Sequence, residues 1–355
     1  MSSPNHRQVE NPDTVHESRA AESRVGGKAS GWARAYDAIA NGAGIATLDD
    51  RLIVRIIGDD RIPFMHGMCS NDVKGFATGA VAPALILTEH AHIIADFFVY
   101  AEADALLIEI DRVLWPKARL HLEKFLVADD VEFEELGNLA VIDIEGPAAA
   151  KVVATVTGEA AESLPPWRHL EFEGMRCANL PRFAGPAFTL CVERAQLAST
   201  IEALSERGRS AGVRDIALVA AETLEIVRIE HGVARVGVDT AEKTIALEAR
   251  LDAAISFSKG CYLGQETIER ATARGGLKKK LFGLHIEGDR LPLAGAVIVL
   301  EGKEIGRLTS VAESPRLGII GLSILHHSAW AAETRVVIVE AAGESVANVC
   351  ELPFA

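Results

Sequence analysis

Clustered cysteines, aromatic side chains and net positive charge are all scarce in this sequence. Its five cysteines, at positions 69, 177, 191, 261 and 350, are dispersed, and no two have CxxC spacing. A zinc site or an iron–sulfur cluster held by one short loop is therefore excluded. The odd count suits a reducing cytoplasm, which is the expected location. A formal charge of −14 argues against general binding to nucleic acid or acidic membranes, which requires a basic surface. The local basic run Lys278, Lys279, Lys280 reads as a solvated strand edge. No apolar run reaches membrane-spanning length. Residues 1–30 are polar and without apolar period or h-region, so a disordered tail is expected rather than a secretory signal. Glu10, Asp13, Glu17 and Glu22 weigh equally against a transit peptide.

What is present is the composition of a globular protein, 49% apolar and 24% charged over 355 residues, enough for two or three domains. The most informative stretch runs from Ile255 to Gly276. Ile255 and Phe257 alternate with Ser256 and Ser258, the period of a short strand. Gly260 and Gly264 free the backbone on either side of Cys261 and Tyr262. From Gln265 the pattern predicts a helix, with Glu266 and Arg270 spaced i,i+4 and Gly275 and Gly276 at its end. Cys261 thus precedes a helix start and follows Lys259 by two residues, and both neighbours favour a thiolate. A small packed cysteine in a glycine-flanked turn is the other reading, and the spacing leaves both open.

Elsewhere, residues 52–58 read as a buried strand, and Asp59 or Asp60 is placed to cap a helix through Met65. Strands follow at 84–87, 92–100 and 106–110, then a helix over 115–125. From 139 the order is strand, helix, strand, strand, helix, a ferredoxin-like half domain. A helix over 220–231 ends at Gly232, and beyond Lys280 six short strands suggest a small antiparallel barrel. Read alone, Asp96 is a strand residue bonded to its own backbone. His90 and His92 form a His-x-His pair, too few ligands for a metal case.

The run from Lys259 to Glu266 matches Lys-Gly-Cys-Tyr-x-Gly-Gln-Glu at all seven fixed positions. It resembles the signature of the YgfZ family of folate-binding proteins, relatives of the glycine-cleavage T-protein (aminomethyltransferase). The run GDDRIPFMHGMCSNDV, with Asp60, Arg61, Phe64, Asn71 and Asp72, is similar to that family's opening pattern. So are the Arg228–Asp239 text and the segment from Ala246 to Asp252, where Ala246 replaces a proline. The likeness covers nearly all of residues 40–330 in the same order. Two departures stand out. Ala95 precedes Asp96 where T-proteins show two adjacent acids, and the 182–188 loop lacks the glutamate that can hold a pterin ring. Both resemble the YgfZ branch more than the transferase.

The resemblance implies an α+β fold of three modules around a central folate-sized hole. These are a discontinuous domain (31–138 plus 211–279), a ferredoxin-like domain (139–210) and a C-terminal antiparallel β-barrel (280–355). It implies tetrahydrofolate, or a one-carbon derivative, as cofactor and no resident metal. Implied partners are iron–sulfur assembly or client proteins, including tRNA-modifying enzymes, with no direct nucleic-acid or membrane contact. Cys261, activated by Lys259, would work beside the pterin, with Tyr262, Gln265 and Glu266 shaping its turn. Asp96, Asn71 and Arg228 would contact folate, although Arg228 and Arg235 read equally well as internal partners of Glu230 or Asp239. Whether Cys261 holds iron, forms a disulfide or attacks a one-carbon unit stays open. The alternatives are aminomethyl or other one-carbon transfer through Asp96, and a folate-shaped scaffold that only binds partners.

Overall fold

A computed structural model describes residues 24–25, 32–183, 185–273 and 276–354. The expected N-terminal tail lies outside them, apart from β1 (Arg24–Val25), which pairs in parallel with a C-terminal strand. The expected glycine stop at Gly275 also lies partly outside them. Three sheets organise the mixed α+β chain: two carry helices, and the third is a C-terminal antiparallel module.

The first sheet has five strands: β3 (Arg51–Ile57), β4 (Val81–Leu87), β5 (Ile93–Ala101), β6 (Leu106–Asp111) and β7 (Glu132–Glu135), in the order β4-β5-β6-β3-β7. Strand alternation gives it two different faces. Val54, Ile56, Phe97, Val99, Ile108 and Ile110 pack with Met65 and Trp115 of α2 (Arg61–Met68) and α3 (Trp115–Glu123). The opposite face carries Arg51, Asp96, Phe98, Tyr100 and Glu109. Asp60 stands at the N-cap of α2 but its side chain makes no cap bond; it accepts instead from the Asp130 backbone N–H. A tertiary partner has displaced the local one.

The second sheet has six strands. They are β2 (Ala43–Thr47), β8 (Leu139–Glu145), β9 (Arg168–Phe172), β10 (Met175–Asn179), β11 (Ala187–Glu193) and β12 (Ile216–Leu218), in the order β12-β2-β8-β11-β10-β9. Helices α4 (Ala149–Thr157) and α5 (Leu197–Ser210) cover one face through Val152, Val153 and Leu204. β2 and β12 come from residues expected in the first module. Close approach makes this possible, since a Cβ on Gly42 would lie 1.9 Å from the Asp215 carbonyl oxygen. Helix α1 (Trp32–Asn41) precedes β2, and α6 (Ala221–Glu230) follows β12.

The third sheet joins β1 to β13 (Lys279–Ile286), β14 (Val297–Leu300), β15 (Lys303–Arg307), β16 (Ser310–Ser314), β17 (Gly318–His326), β18 (Arg335–Glu340) and β19 (Gly343–Cys350). β15 and β16 are separate strands because Leu308 and Thr309, between them, donate to the Ala296 and Leu322 carbonyls and turn a corner. Ser323 in β17 donates to the Arg307 carbonyl at 2.7 Å, drawing the edge strand inward. The result is a curled antiparallel sheet, a half-barrel. Among the described residues no helix is long and apolar enough to cross a membrane.

Candidate functional site

Helix α7 (Gln265–Ala273) forms where the residue pattern asks for it, and its Glu266–Arg270 ion pair is made. The strand expected at 255–258 does not form. After a single 3-10 turn at Asp252–Ala254, Ser256 donates to the Ser70 carbonyl at 2.9 Å and Leu263 to the Gly67 carbonyl at 3.1 Å. The segment is a loop laid against the end of α2. Gly264 adopts φ +88°, and a Cβ there would meet the Thr88 carbonyl oxygen at 2.7 Å. Glycine is thus what lets this turn rest on the β4–β5 turn.

Lys259 is the pin of this loop. Its buried ammonium donates to the carbonyls of His66 (2.5 Å), Cys69 (2.8 Å) and Asn71 (2.8 Å) and lies 5.0 Å from the centre of the Tyr262 ring. Burial pulls its pKa down, against the opposing pull of Cys69 and Asp72. The expectation that Lys259 activates Cys261 is corrected by this geometry: the charge points inward, to carbonyls and Cys69, because a long flexible stem follows its acceptors rather than its sequence neighbours. Cys261 is exposed and stands four residues ahead of α7, beyond the reach of a dipole effect confined to the first turn. Tyr262 is packed beside Ile268 and Leu85, and burial, then Glu269, pushes its hydroxyl up to about 12. Gln265 donates to Glu269 (2.8 Å) and Glu266 pairs with Arg270, so both face the helix surface rather than shaping the turn.

Asn71 joins the same loop, its amide donating to the Pro83 carbonyl (2.8 Å) and its side-chain oxygen accepting from Asp72 N–H (2.8 Å). Both ends are used locally, which makes it a loop brace. Arg228 is buried in α6, where it meets both oxygens of Glu225 (2.6 and 2.9 Å), Asp239 (2.7 Å), Ser310 (2.7 Å) and the Val233 carbonyl. With its donors spent, Arg228 ties α6 to β16; the expected folate contact is corrected to the internal ion pair. Arg235 pairs with Asp50 at 2.9 Å and keeps 23% of its side chain exposed.

Asp96 lies in β5 opposite Leu85 of β4. Along this face, Leu85, Leu87 and Ile93 pack with Leu281, Ile320 and Leu322 of the half-barrel. Farther along, Val81, Tyr100 and Leu107 pack with Val141, Leu180 and Cys191 of the six-stranded sheet. Phe98 packs against the second seam, Asp96 lies two residues along the strand toward the first, and both stay half-buried. Burial and the neighbouring Arg182 work against charge on Arg51, but Asp50, Glu109 and Asp96 outweigh them and raise its pKa.

Beside Phe98 lies a buried charge cluster that the motif search missed. Arg182, just beyond β10, reaches Glu109 (2.7 Å), Asp143 (3.4 Å) and Thr189 (3.3 Å), with its guanidinium 5.0 Å from the Phe98 ring centre. Tyr100 donates to the second oxygen of Glu109 at 2.8 Å. The loop noted for lacking an acid thus supplies a base. The available signal was acids at alternate positions of apolar strands: Glu109 and Asp111 in LLIEID, Asp143 and Glu145 in AVIDIE. His90 and His92 stack edge to face at 6.0 Å, and among the described residues no three His, Cys, Asp or Glu side chains converge on a metal position.

Residues 21–259 match the GCVT N-terminal domain, and residues 279–355 match the glycine cleavage T-protein C-terminal barrel domain. A putative chloroplastic transferase of Arabidopsis thaliana is 26% identical over 90% of this chain and 73% of its own length. An aminomethyltransferase of Caldanaerobacter subterraneus is 24% identical over 82% of this chain and 79% of its own. The glycine cleavage system aminomethyltransferase T of Bartonella henselae shares the fold, with a TM-score of 0.82, 19% identity and 97% of each chain covered. Two family domains in sequence, covering residues 21–259 and 279–355, lead to one conclusion: the chain belongs to the glycine-cleavage T-protein family.

Proposed function

We propose that this protein binds tetrahydrofolate beside Asp96 and handles a one-carbon unit there, as a transferase of the aminomethyltransferase type. The supporting observation is the half-buried Asp96, held between two packed seams in a chain of the T-protein family. The residues suit such a cofactor. Phe98 offers a ring to a flat heterocycle, Asp96 an acceptor to an N–H, and Arg235 a partly exposed guanidinium to a carboxylate tail. When bound, tetrahydrofolate supplies the nitrogen that accepts the one-carbon unit. Asp96 orients that nitrogen and receives its proton, the task of a positioned general base. Methylene-tetrahydrofolate formation from an aminomethyl donor tests this. Asp96→Asn is expected to lower turnover by about a hundredfold, while absence of turnover in the wild type counts against transfer.

A second reading puts the work on Cys261, in support of iron–sulfur enzymes, tRNA-modifying ones among them. Its support is that Cys261 is exposed, whereas the other four cysteines are buried or half-buried. Ala95 and the acid-free 182–188 loop point the same way. One cysteine cannot enclose a cluster, so a cluster would be cargo, its other ligands coming from a partner. Cys261→Ser should then lower cluster-enzyme activity in cells while leaving folate binding intact; unchanged cellular activity rejects this reading.

A further inference from the structure

Where the five- and six-stranded sheets meet, three carboxyl groups and the Arg182 guanidinium are shut away from water, and Arg51 joins them with 17% of its side chain exposed. Glu109, Asp143 and Glu145 are 0%, 0% and 3% exposed. Arg182 bonds to Glu109 and Asp143, and the Arg51 Nε stands 3.9 Å from Glu109. From the other packed elements, Tyr100 faces Glu109, Thr189 donates to Asp143 at 3.2 Å, and Cys191 lies alongside. At the rim Asp50 is taken by Arg235, and Asp96 acts on Arg51. Inside the seam, then, two positive charges meet three groups that are normally negative. An isolated buried carboxylate is expensive, and the usual remedy is to neutralise it.

Two oxygens mark where neutralisation occurs. Asp143 Oδ2 and Glu145 Oε1 are both buried and have no donor. Two residues apart in β8, Asp143 and Glu145 project from the same face of the sheet, so two buried acceptors without a donor stand on one face. We propose that Asp143 and Glu145 hold one proton between them, and that this proton completes the charge balance of the seam joining the two sheets. Burial, and then Asp143, pushes Glu145 well above the usual carboxylate range; burial also raises Asp143. The pair is a single proton-binding site whose occupancy sets how tightly the modules pack.

The sign follows from linkage. Between the ordinary glutamate pKa and the raised one, the folded chain holds a proton that the unfolded chain has released. Stability is therefore full below that window and is lost as pH rises through it. The experiment is chemical unfolding of the full chain across this window, comparing wild type with Glu145→Gln, whose amide donates to Asp143 without a titrating proton. Wild type should show an unfolding constant rising by up to about tenfold per pH unit more steeply than the variant. Equal slopes overturn the proposal. If Glu145→Gln does not fold, Asp143→Asn is read instead, with the same flattening expected. If neither folds, the infrared spectrum of the wild type at neutral pH decides: a buried protonated carboxyl band supports the shared proton, and its absence overturns it. This inference requires no bound ligand, so it stands or fails separately from folate binding.

Discussion

Lys259 and Arg182 are both buried where the modules converge, and they are held by opposite means. Lys259 sits among three neutral carbonyls, whereas Arg182 sits among carboxylates. Carbonyls can satisfy an ammonium's three donors without adding charge, so the Cys261 loop is fixed at a modest desolvation penalty. Carboxylates bring negative charge that must itself be matched, so the Arg182 seam is coupled to every neighbouring acid. The first arrangement pins a loop; the second joins two sheets and makes their union depend on protonation. Asp96 lies at the rim of the charged cage, where it acts on Arg51.

The largest expected effect comes from breaking the charged cage. Arg182→Met leaves Glu109 and Asp143 buried without their partner, a loss of about 3–5 kcal/mol by the usual cost of severing a buried pair. Urea unfolding measures it, and a loss no greater than that of Lys259→Met would abolish the distinction. The neutral cage comes next. Lys259→Met strands carbonyls that are costly to leave unpaired, about 1–3 kcal/mol in all, and should speed hydrogen exchange in residues 256–264. Lys259→Arg should not restore protection, because a planar fork cannot serve three converging carbonyls. The smallest stability effect belongs to Cys261→Ser, within about 0.5 kcal/mol, as befits an exposed position.

Thiol chemistry sharpens the same contrast. Burial pushes Cys177 and Cys191 up to about 12 and Cys350 up to about 11, and it raises Cys69 against the pull of Lys259. Cys261 should therefore be alkylated first at neutral pH, read by mass spectrometry of timed samples, and it should remain first in Lys259→Met. Simultaneous labelling of Cys69 and Cys261 in the folded wild type would show that the loop opens as a unit.

Much of the scaffold was legible from period and punctuation. Strands at 84–87, 92–100 and 106–110 lie within the observed β4, β5 and β6 to within a residue at all but the first boundary. The helix after Gly264 and its Glu266–Arg270 pair also follow from the pattern. What the chain hid were directions in space. Lys259 is two residues from Cys261 in sequence, yet its nitrogen is committed to carbonyls some 190 positions away. Arg228 and Arg235 look interchangeable in the text, and only packing separates the spent guanidinium from the one left partly open. In sequence, residues 182–188 stand out for a missing acid, whereas the chemistry lies in Arg182, whose carboxylate partners come from distant strands. Residue identity tells what a side chain can bond; the fold decides with whom.

Isothermal titration with tetrahydrofolate, comparing wild type with Asp96→Ala, tests the proposed ligand site most directly. Wild type should bind one equivalent, and the variant should bind about tenfold or more weakly, the effect of losing one charged hydrogen bond. Identical binding by both proteins, or none by the wild type, would contradict a folate site at Asp96.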